Sequence, residues 1–294
     1  MDLQPREHYF IHDGLKLHYW EWGDRKEETV IFIHGVRDQG RSWEHLISAL
    51  TARGFPVKHA AAIDLRGHGD SEWPQTGRGY QHEDFLADLA GLLRHLDKDS
   101  FTIIGHSLGG SMALLYAGAF PDTVKRLVLL ESLGPFARSD DEVPDIIAER
   151  LKERDYVEIP FPHSSLEAAA KSLQKRFPLI PDKAALHMAL YGTKKRGENF
   201  LWKHDPVLRY RTTTALSEGQ IEAFIRRIQC PILFIYGAES EFMKSIRGPR
   251  IKLFKNAQII GIEGAGHHVP HEKPEELANV IVPFLLAGDA EGKS

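Results

Sequence analysis

The segment Gly105-His106-Ser107-Leu108-Gly109 can present a nucleophile. It follows the apolar run Phe101-Thr102-Ile103-Ile104 and opens the helix-like stretch Gly110-Ser111-Met112-Ala113-Leu114-Leu115-Tyr116. A serine on such a strand-to-helix turn is held strained and exposed above a sheet, and the flanking glycines let backbone pack around it. The free amides of the helix N-terminus favour negative charge developing beside it. A hydroxyl at its own pKa is a poor nucleophile and needs a base. The segment Gly264-Ala265-Gly266-His267-His268, 160 residues downstream, offers one in a glycine-rich loop before Pro270. Nucleophile first and histidine last is a chain order that Ser-His-acid sites use, so His267 is the expected base and His268 its nearest competitor. A metal at His267, His268 and His271 would need a second ligand cluster, and no suitably spaced one accompanies them. No metal and no cofactor are expected.

Acyl chemistry also needs two backbone donors for an oxyanion. The Leu108 amide, just after the nucleophile, is one. His34-Gly35-Val36 ends a core strand, so the Val36 amide is the other, while His34 packs or hydrogen-bonds locally. Phe136, Phe161 and Trp202 are candidates to shape an apolar acyl pocket.

Short apolar runs alternating with helical stretches must position these groups. A hairpin over 8–22 turns at Asp13-Gly14. Strands follow over 29–33, 57–63, 101–105 and 124–130. Helices are expected over 42–53, with Ser42 as N-cap, and over 82–97 and 107–119. This rhythm implies a parallel sheet wrapped by helices. It breaks over 134–216, where Pro144, Pro160, Pro162, Pro178 and Pro181 punctuate helical signals without a convincing strand. Ser164-Ser165-Leu166-Glu167 offers a capping box there, and another helix runs from Pro181-Asp182 to near Gly192. Phe161, Phe177, Leu186, Tyr191, Phe200 and Trp202 are too apolar for a disordered linker. The segment reads as a helical insertion over the sheet. The core pattern resumes with a helix over 217–229, strands over 231–236 and 257–261, and a helix over 274–286.

The bulk composition narrows the function classes. The chain has 294 residues and a net charge of −4, so no global field attracts nucleic acid or anionic membrane. A small-molecule substrate fits this balance, with the protein a monomer or homodimer. The single Cys230 rules out an intrachain disulfide and reads as a buried thiol. Met1-Asp2-Leu3-Gln4-Pro5-Arg6-Glu7 lacks a signal-like apolar region, and no stretch approaches the ~20 apolar residues that span a bilayer. Ala290-Glu291-Gly292-Lys293-Ser294 carries no lipidation address. A cytoplasmic setting is expected.

Together these residues resemble the α/β-hydrolase superfamily over nearly the whole chain. Asp64-Leu65-Arg66-Gly67-His68-Gly69-Asp70-Ser71 looks like its structural D-x-R-G-x-G-x-S loop. Gly192 to Leu208, with Trp202-Lys203-His204-Asp205-Pro206-Val207-Leu208, is similar to serine hydrolase-like proteins and their bacterial relatives. The resemblance implies a mostly parallel eight-stranded sheet flanked by helices. The core would be 1–133 and 217–294, with a helical cap over 134–216. It also exposes a departure. Most relatives carry an aspartate three residues after the glycine that ends the strand at 231–236, and here Ser240 stands there. Glu131, ending the preceding strand, is the preferred substitute, because a carboxylate at that end of a parallel strand faces the ligand crevice. Its spacing from Ser107 resembles that of dehalogenase-type relatives; their nucleophile is an aspartate, so only the acid position carries over. Glu241 is the alternative acid, followed by Glu239 or none.

The implied reaction is hydrolysis of a carboxylic ester, thioester or lactone through an acyl-enzyme. A C–C bond hydrolase acting on a β-diketone could use the same triad, and a ligand sensor could retain it with slow turnover. Epoxide hydrolysis and dehalogenation are disfavoured because they need a carboxylate at position 107.

Overall fold

Each apolar run becomes a strand whose successive residues face opposite sides, as the twofold side-chain period of extended chain requires. The fold is seen in a computed structural model that describes residues 4–55, 57–74, 80–153, 161–209, 216–241, 249–254 and 257–287. Met1 to Leu3, Pro160 and the tail from 288 onward, all read above from sequence, lie outside the described residues.

Ten strands are described: β1 (Arg6–His12), β2 (Leu15–Gly23), β3 (Thr29–Ile33), β4 (His59–Asp64), β5 (Phe101–His106), β6 (Val124–Leu130), β7 (Thr193–Arg196), β8 (Asn199–Trp202), β9 (Ile232–Gly237) and β10 (Ala257–Ile262). Eight of them form one sheet in the order β1-β2-β4-β3-β5-β6-β9-β10. The hairpin β1/β2 is antiparallel and pairs antiparallel with β4; from β4 to β10 every pairing is parallel. Asp13 and Gly14 turn the hairpin with φ of 50° and 73°, the left-handed pair that a tight two-residue turn requires.

The helices are α1 (Glu44–Ala52), α2 (His82–Leu96), α3 (Leu108–Ala119), α4 (Val143–Glu153), α5 (Leu166–Arg176), α6 (Asp182–Gly192), α7 (Glu218–Arg227), the single turn α8 (Val269–Glu272) and α9 (Pro274–Leu286). Ile31, Ile33, Leu127, Leu129 and Phe234 face one side and pack with α2, α3 and α7. Val30, Phe32, Val128, Leu130 and Leu233 face the other and pack with α1 and α9. Burying each such side chain contributes roughly 1.5–3 kcal/mol, which fixes the strand register. Cys230 is buried and unpaired, its thiol pushed up to about 11 by burial.

Two local expectations are corrected. Ser42 does not cap α1. A 3₁₀ turn at Gly40–Trp43 precedes the helix, Gln39 caps that turn by accepting from the Arg41 amide, and the Ser42 hydroxyl donates to Asp38. In the Ser164-Ser165-Leu166-Glu167 box, Ser165 is the cap, accepting from the Ala168 amide at 3.1 Å.

The chain leaves the sheet after β6 and rejoins it through α7. Between them α5 and α6 bury Ala169, Ala170, Ala184, Ala185 and Met188 against each other. This stretch is not purely helical: β7 and β8 form a small antiparallel hairpin turned at Gly197, and His163 bridges to Phe200. Thr193-Lys194-Lys195-Arg196 lacks the apolar alternation that marks a strand, so only pairing with the more apolar β8 makes it one. Arg41 clamps this stretch to the sheet, lying 4.7 Å from the Trp20 ring centre and 4.6 Å from that of Tyr191 on α6.

Asp64 anchors the loop behind the site. It accepts from the Gly40 and Asp70 amides and lies 2.7 Å from His18 Nδ1, while Arg66 grips Asp88 through two hydrogen bonds of 2.8 and 2.7 Å. His18, Asp64 and Asp70 are the one group among the described residues whose ligand atoms cluster within 4.8 Å. Their atoms serve this scaffold, Asp70 holding Lys203 at 2.6 Å. No helix among the described residues is long and apolar enough to cross a membrane.

Candidate active site

The strand order reverses at β3, with β4 on one side and β5 on the other, so the crevice opens at the carboxyl ends of β3 and β5. Ser107 stands at that crevice between β5 and α3, with φ 52° and ψ −113°, a conformation L-residues rarely adopt. Its amide donates to Leu130 O at 2.9 Å and its carbonyl accepts from Ser111 at 3.0 Å. A Cβ on Gly109 would come within 2.1 Å of Ile33 O, so only glycine lets α3 start this close to β3.

The His267 side chain reaches Ser107: Nε2 lies 3.1 Å from Oγ. Its Nδ1 lies 3.0 Å from Glu131 Oε2. The network therefore assigns the proton to Nδ1, donated to the carboxylate, and leaves Nε2 to accept from the hydroxyl. Glu131 is fully buried and itself adopts φ 55°. Its Oε1 accepts from the Gly237 amide at 2.6 Å and its Oε2 from the Ser240 hydroxyl at 2.6 Å. Ser240, at the position where an aspartate was expected, thus braces a carboxylate delivered from the next strand. Glu241 and Glu239 are exposed. A Cβ on Gly237 would meet Ala265 O and Gly266 O at 2.3 Å, so the loop after β9 can approach the histidine loop only as glycine.

Removing the brace should be measurable. Ser240→Ala leaves Glu131 one donor short in a dry environment, a loss of about 1–3 kcal/mol. The expected result is a Tm lower by a few degrees and kcat lower by about threefold to thirtyfold with KM little changed. Ser240→Thr, which keeps the hydroxyl, should recover most of the kcat. An alanine variant with wild-type kcat would assign Ser240 to packing alone.

The imidazole loop is fixed from several sides. His106 Nε2 donates to His267 O at 2.7 Å. Glu272 accepts from the Gly266 and His268 amides, and His271 Nε2 lies 2.9 Å from Asp38 Oδ2. Burial opposes charge on Asp38, but the His271 imidazole outweighs it and holds the carboxyl well below its ordinary range. His268, the competing base, packs edge-on against Phe177 with ring centres 4.1 Å apart. His34 accepts from the Leu65 amide on Nε2, so its Nδ1 donates to Gly35 O at 2.7 Å, shaping the turn that carries Val36. Leu108 is the first residue of α3, where an amide has no intrahelical acceptor.

Burial keeps several of these rings neutral. It holds His106 down to about 3, reinforced by the neighbouring His267, and pushes His268 well below its ordinary value. His204 is likewise at about 3 and His45 at about 4. These folded values lie below the unfolded value of about 6.5. Stability is therefore full above pH 6.5 and is lost as pH falls towards 3–4, because the unfolded chain takes up protons that the folded one refuses. The urea midpoint should fall between pH 7.5 and 5, each ring costing up to about 1 kcal/mol per pH unit. A flat midpoint over that range would show that these rings accept protons while folded.

Above Ser107 lies a cavity of about 830 Å³. Phe161, Phe177, Met188, Trp202 and Leu208 line it together with Val36, Ser107 and His267. Val36 is 45% exposed at its rim. Trp202 Nε1 donates to His163 Nε2 at 3.2 Å, which fixes the indole in the wall. Phe136 is corrected: it is 49% exposed and is not among the lining residues, because the chain beyond Pro135 turns away with Arg138 bonded to Leu216. His204, within the Trp202–Leu208 stretch singled out above, also lines the cavity, as do Arg37, His163 and Arg176, which no motif in the sequence marked.

A family profile described as alpha/beta hydrolase fold matches residues 28–274. The chain is 22% identical over 292 residues to a serine hydrolase-like protein of Dictyostelium discoideum, covering 94% of this chain and 80% of that protein. It is 28% identical over 269 residues to the sn-1-specific diacylglycerol lipase ABHD11 of Mus musculus, covering 90% and 82%. Among solved structures, a thioesterase domain from the curacin biosynthetic pathway superposes with a TM-score of 0.84 at 22% identity, covering 95% of this chain and 99% of that one.

Proposed function

Because the chain belongs to the alpha/beta hydrolase fold family, we propose that it is a serine hydrolase cleaving a carboxylic ester, thioester or lactone through an acyl-enzyme. The observation that carries this reading is the unbroken series from Ser107 Oγ to His267 at 3.1 Å and from His267 to Glu131 at 3.0 Å. Ser107 Oγ attacks the carbonyl carbon while His267 Nε2 takes its proton, a step general-base catalysis accelerates by roughly 10²–10⁴. Glu131 keeps the proton on Nδ1 and stabilises the imidazolium that forms. The Leu108 and Val36 amides receive the oxyanion, each such donor contributing about 3–4 kcal/mol in the transition state. The imidazolium then protonates the departing alcohol or thiol. Water, deprotonated by the same ring, attacks the acyl-enzyme and releases the acid with Ser107 restored. The cavity falls within the roughly 300–1,000 Å³ range of small-molecule sites, and the stretch over 134–216 forms much of its wall, as a cap would. The test is covalent labelling by a fluorophosphonate, with turnover across p-nitrophenyl esters of graded acyl length. Labelling without sustained turnover of any ester would instead favour a slow ligand sensor.

A further inference from the structure

The net charge of −4 conceals a division within the chain. Residues 161–209 carry nine lysines and arginines against four aspartates and glutamates, a local charge of +5, which leaves −9 on the other 245 residues. Seven of the nine cations are exposed: Lys171, Lys175 and Arg176 on α5, Lys183 on α6, and Lys194, Lys195 and Arg196 on β7. Arg176 and Lys194 rest against the rings of Phe177 and Trp73. None of the seven forms an ion pair among the described residues, whereas Lys203 of the same stretch is held by Asp70 at 2.6 Å.

Apolar side chains stand among these charges. α6 buries Ala184, Ala185, Met188 and Ala189, so its opposite side, at spacings of three and four, is Lys183, Leu186 and Leu190. The two leucines are 41% and 50% exposed. Cations flank this stripe at both ends. At its start, Gln174 donates to Asp182 at 2.8 Å, which ties the end of α5 that carries Lys175 and Arg176 to the first turn of α6. At its end, about 16 Å away along an 11-residue helix, α6 runs straight into β7, and the Thr193 hydroxyl donates to Ala189 O at 2.7 Å. β7 sets Lys195 opposite Phe200 of β8, and Phe200 bridges on its other edge to His163, two residues from Phe161. Neighbouring strands lie about 4.8 Å apart, so the Phe161 backbone is within roughly 15 Å of that of Lys195. Phe161 is 77% exposed and also lines the cavity, so this face reaches the cavity's opening.

We propose that this face docks on an anionic lipid surface, its cations meeting headgroup phosphates while Leu186, Leu190 and Phe161 enter the headgroup layer. Each lysine or arginine held near an anionic leaflet adds to binding, and apolar groups inserted among the headgroups add more. The remaining residues, at −9, are repelled by the same surface, so the field turns this face towards it. A polyanion in solution, such as a nucleic acid, answers the cations but leaves the leucines in water. Docking does not depend on how Ser107 reacts.

Co-sedimentation of the full chain with vesicles tests it. Vesicles holding about a third phosphatidylglycerol in phosphatidylcholine should bind about tenfold more tightly, or better, than phosphatidylcholine alone. Raising salt from about 0.05 to about 0.3 M should remove most of that advantage. Combining Lys194→Gln, Lys195→Gln and Arg196→Gln should weaken binding to the anionic vesicles about tenfold or more. Leu186→Ser with Leu190→Ser should weaken it about threefold or more and leave the salt dependence unchanged. Both variants should keep the wild-type near-ultraviolet circular dichroism and fluorophosphonate labelling, since none of these residues belongs to the series from Ser107 to Glu131. Lys125→Gln, which removes an exposed cation outside this stretch, should bind as the wild type does. Equal binding to both kinds of vesicle, binding to neither, or a triple glutamine variant that binds as tightly as the wild type would overturn the proposal. Retention by duplex DNA without vesicle binding would also overturn it and assign the face to a polyanion in solution.

Discussion

Replacing Ser107 with alanine is expected to lower kcat/KM on an activated ester by about 10⁴-fold or more and to abolish fluorophosphonate labelling. The Ser107 hydroxyl donates to His267 Nε2, 3.1 Å away, and Ser107 lines the cavity. The amides of Leu108 and Val36 and the cavity itself survive the substitution. A residual rate above that in water should therefore persist, because in the proposed mechanism bound ester still meets these amides. The pattern of double variants separates roles. Ser107→Ala combined with His267→Ala should be hardly worse than either alone, since nucleophile and base act as one unit. Multiplicative losses, or an alanine variant retaining more than a few per cent of the rate, would place the nucleophile elsewhere.

The second large effect falls on Glu131. Glu131→Gln preserves volume but offers an amide to His267 Nδ1, which favours the wrong tautomer and leaves the imidazolium unsupported. The expected loss in kcat is about 10³–10⁴-fold, comparable to neutralising the buried acid of other Ser-His-acid sites. Glu241→Gln and Glu239→Gln, at exposed positions, should change the rate by less than about twofold. Near-ultraviolet circular dichroism and Tm must accompany the measurement, because the amide also disturbs the bonds from Gly237 and Ser240. A rescue makes the test sharper. In the Glu131→Gln background, Ser240→Asp places a carboxylate at the site most relatives use, and should recover at least tenfold of the lost kcat. Equal rates in the Glu131→Gln and wild-type proteins would move the acid role to another group.

What could be read from the sequence was what is encoded locally. The strands announced themselves because residues such as Val30 to Ile33 are buried on both faces and must all be apolar. Ser107 was legible because glycines at 105 and 109 flank it, and His267 because Gly264 and Gly266 lead into it. The place of Glu131 was legible as a compensation: an absence at 240 required a carboxylate elsewhere near the strand ends. What Ser240 does was not, since a hydroxyl braced against a carboxylate 109 residues away leaves no local trace. The same holds for His106, whose ring supports the His267 carbonyl across 161 residues, and for Arg37 and Arg176, which both line the cavity. The hairpin of β7 and β8 was hidden because its first strand is charged. Phe136 was misplaced because aromatic character alone does not say which way a loop turns.

The grip on Glu131 also bears on how the molecule is made. Its partners Gly237, Ser240 and His267 all lie more than a hundred residues further along. A nascent chain leaving the ribosome thus exposes Ser107 long before the His267 imidazole, its hydrogen-bond partner, has been made. In the proposed mechanism reactivity switches on only when β9 pairs with β6 and β10 with β9, the slow, non-local pairing of parallel strands. In the proposed mechanism a half-made copy is inert, and hydrolysis itself reports that synthesis and folding have finished.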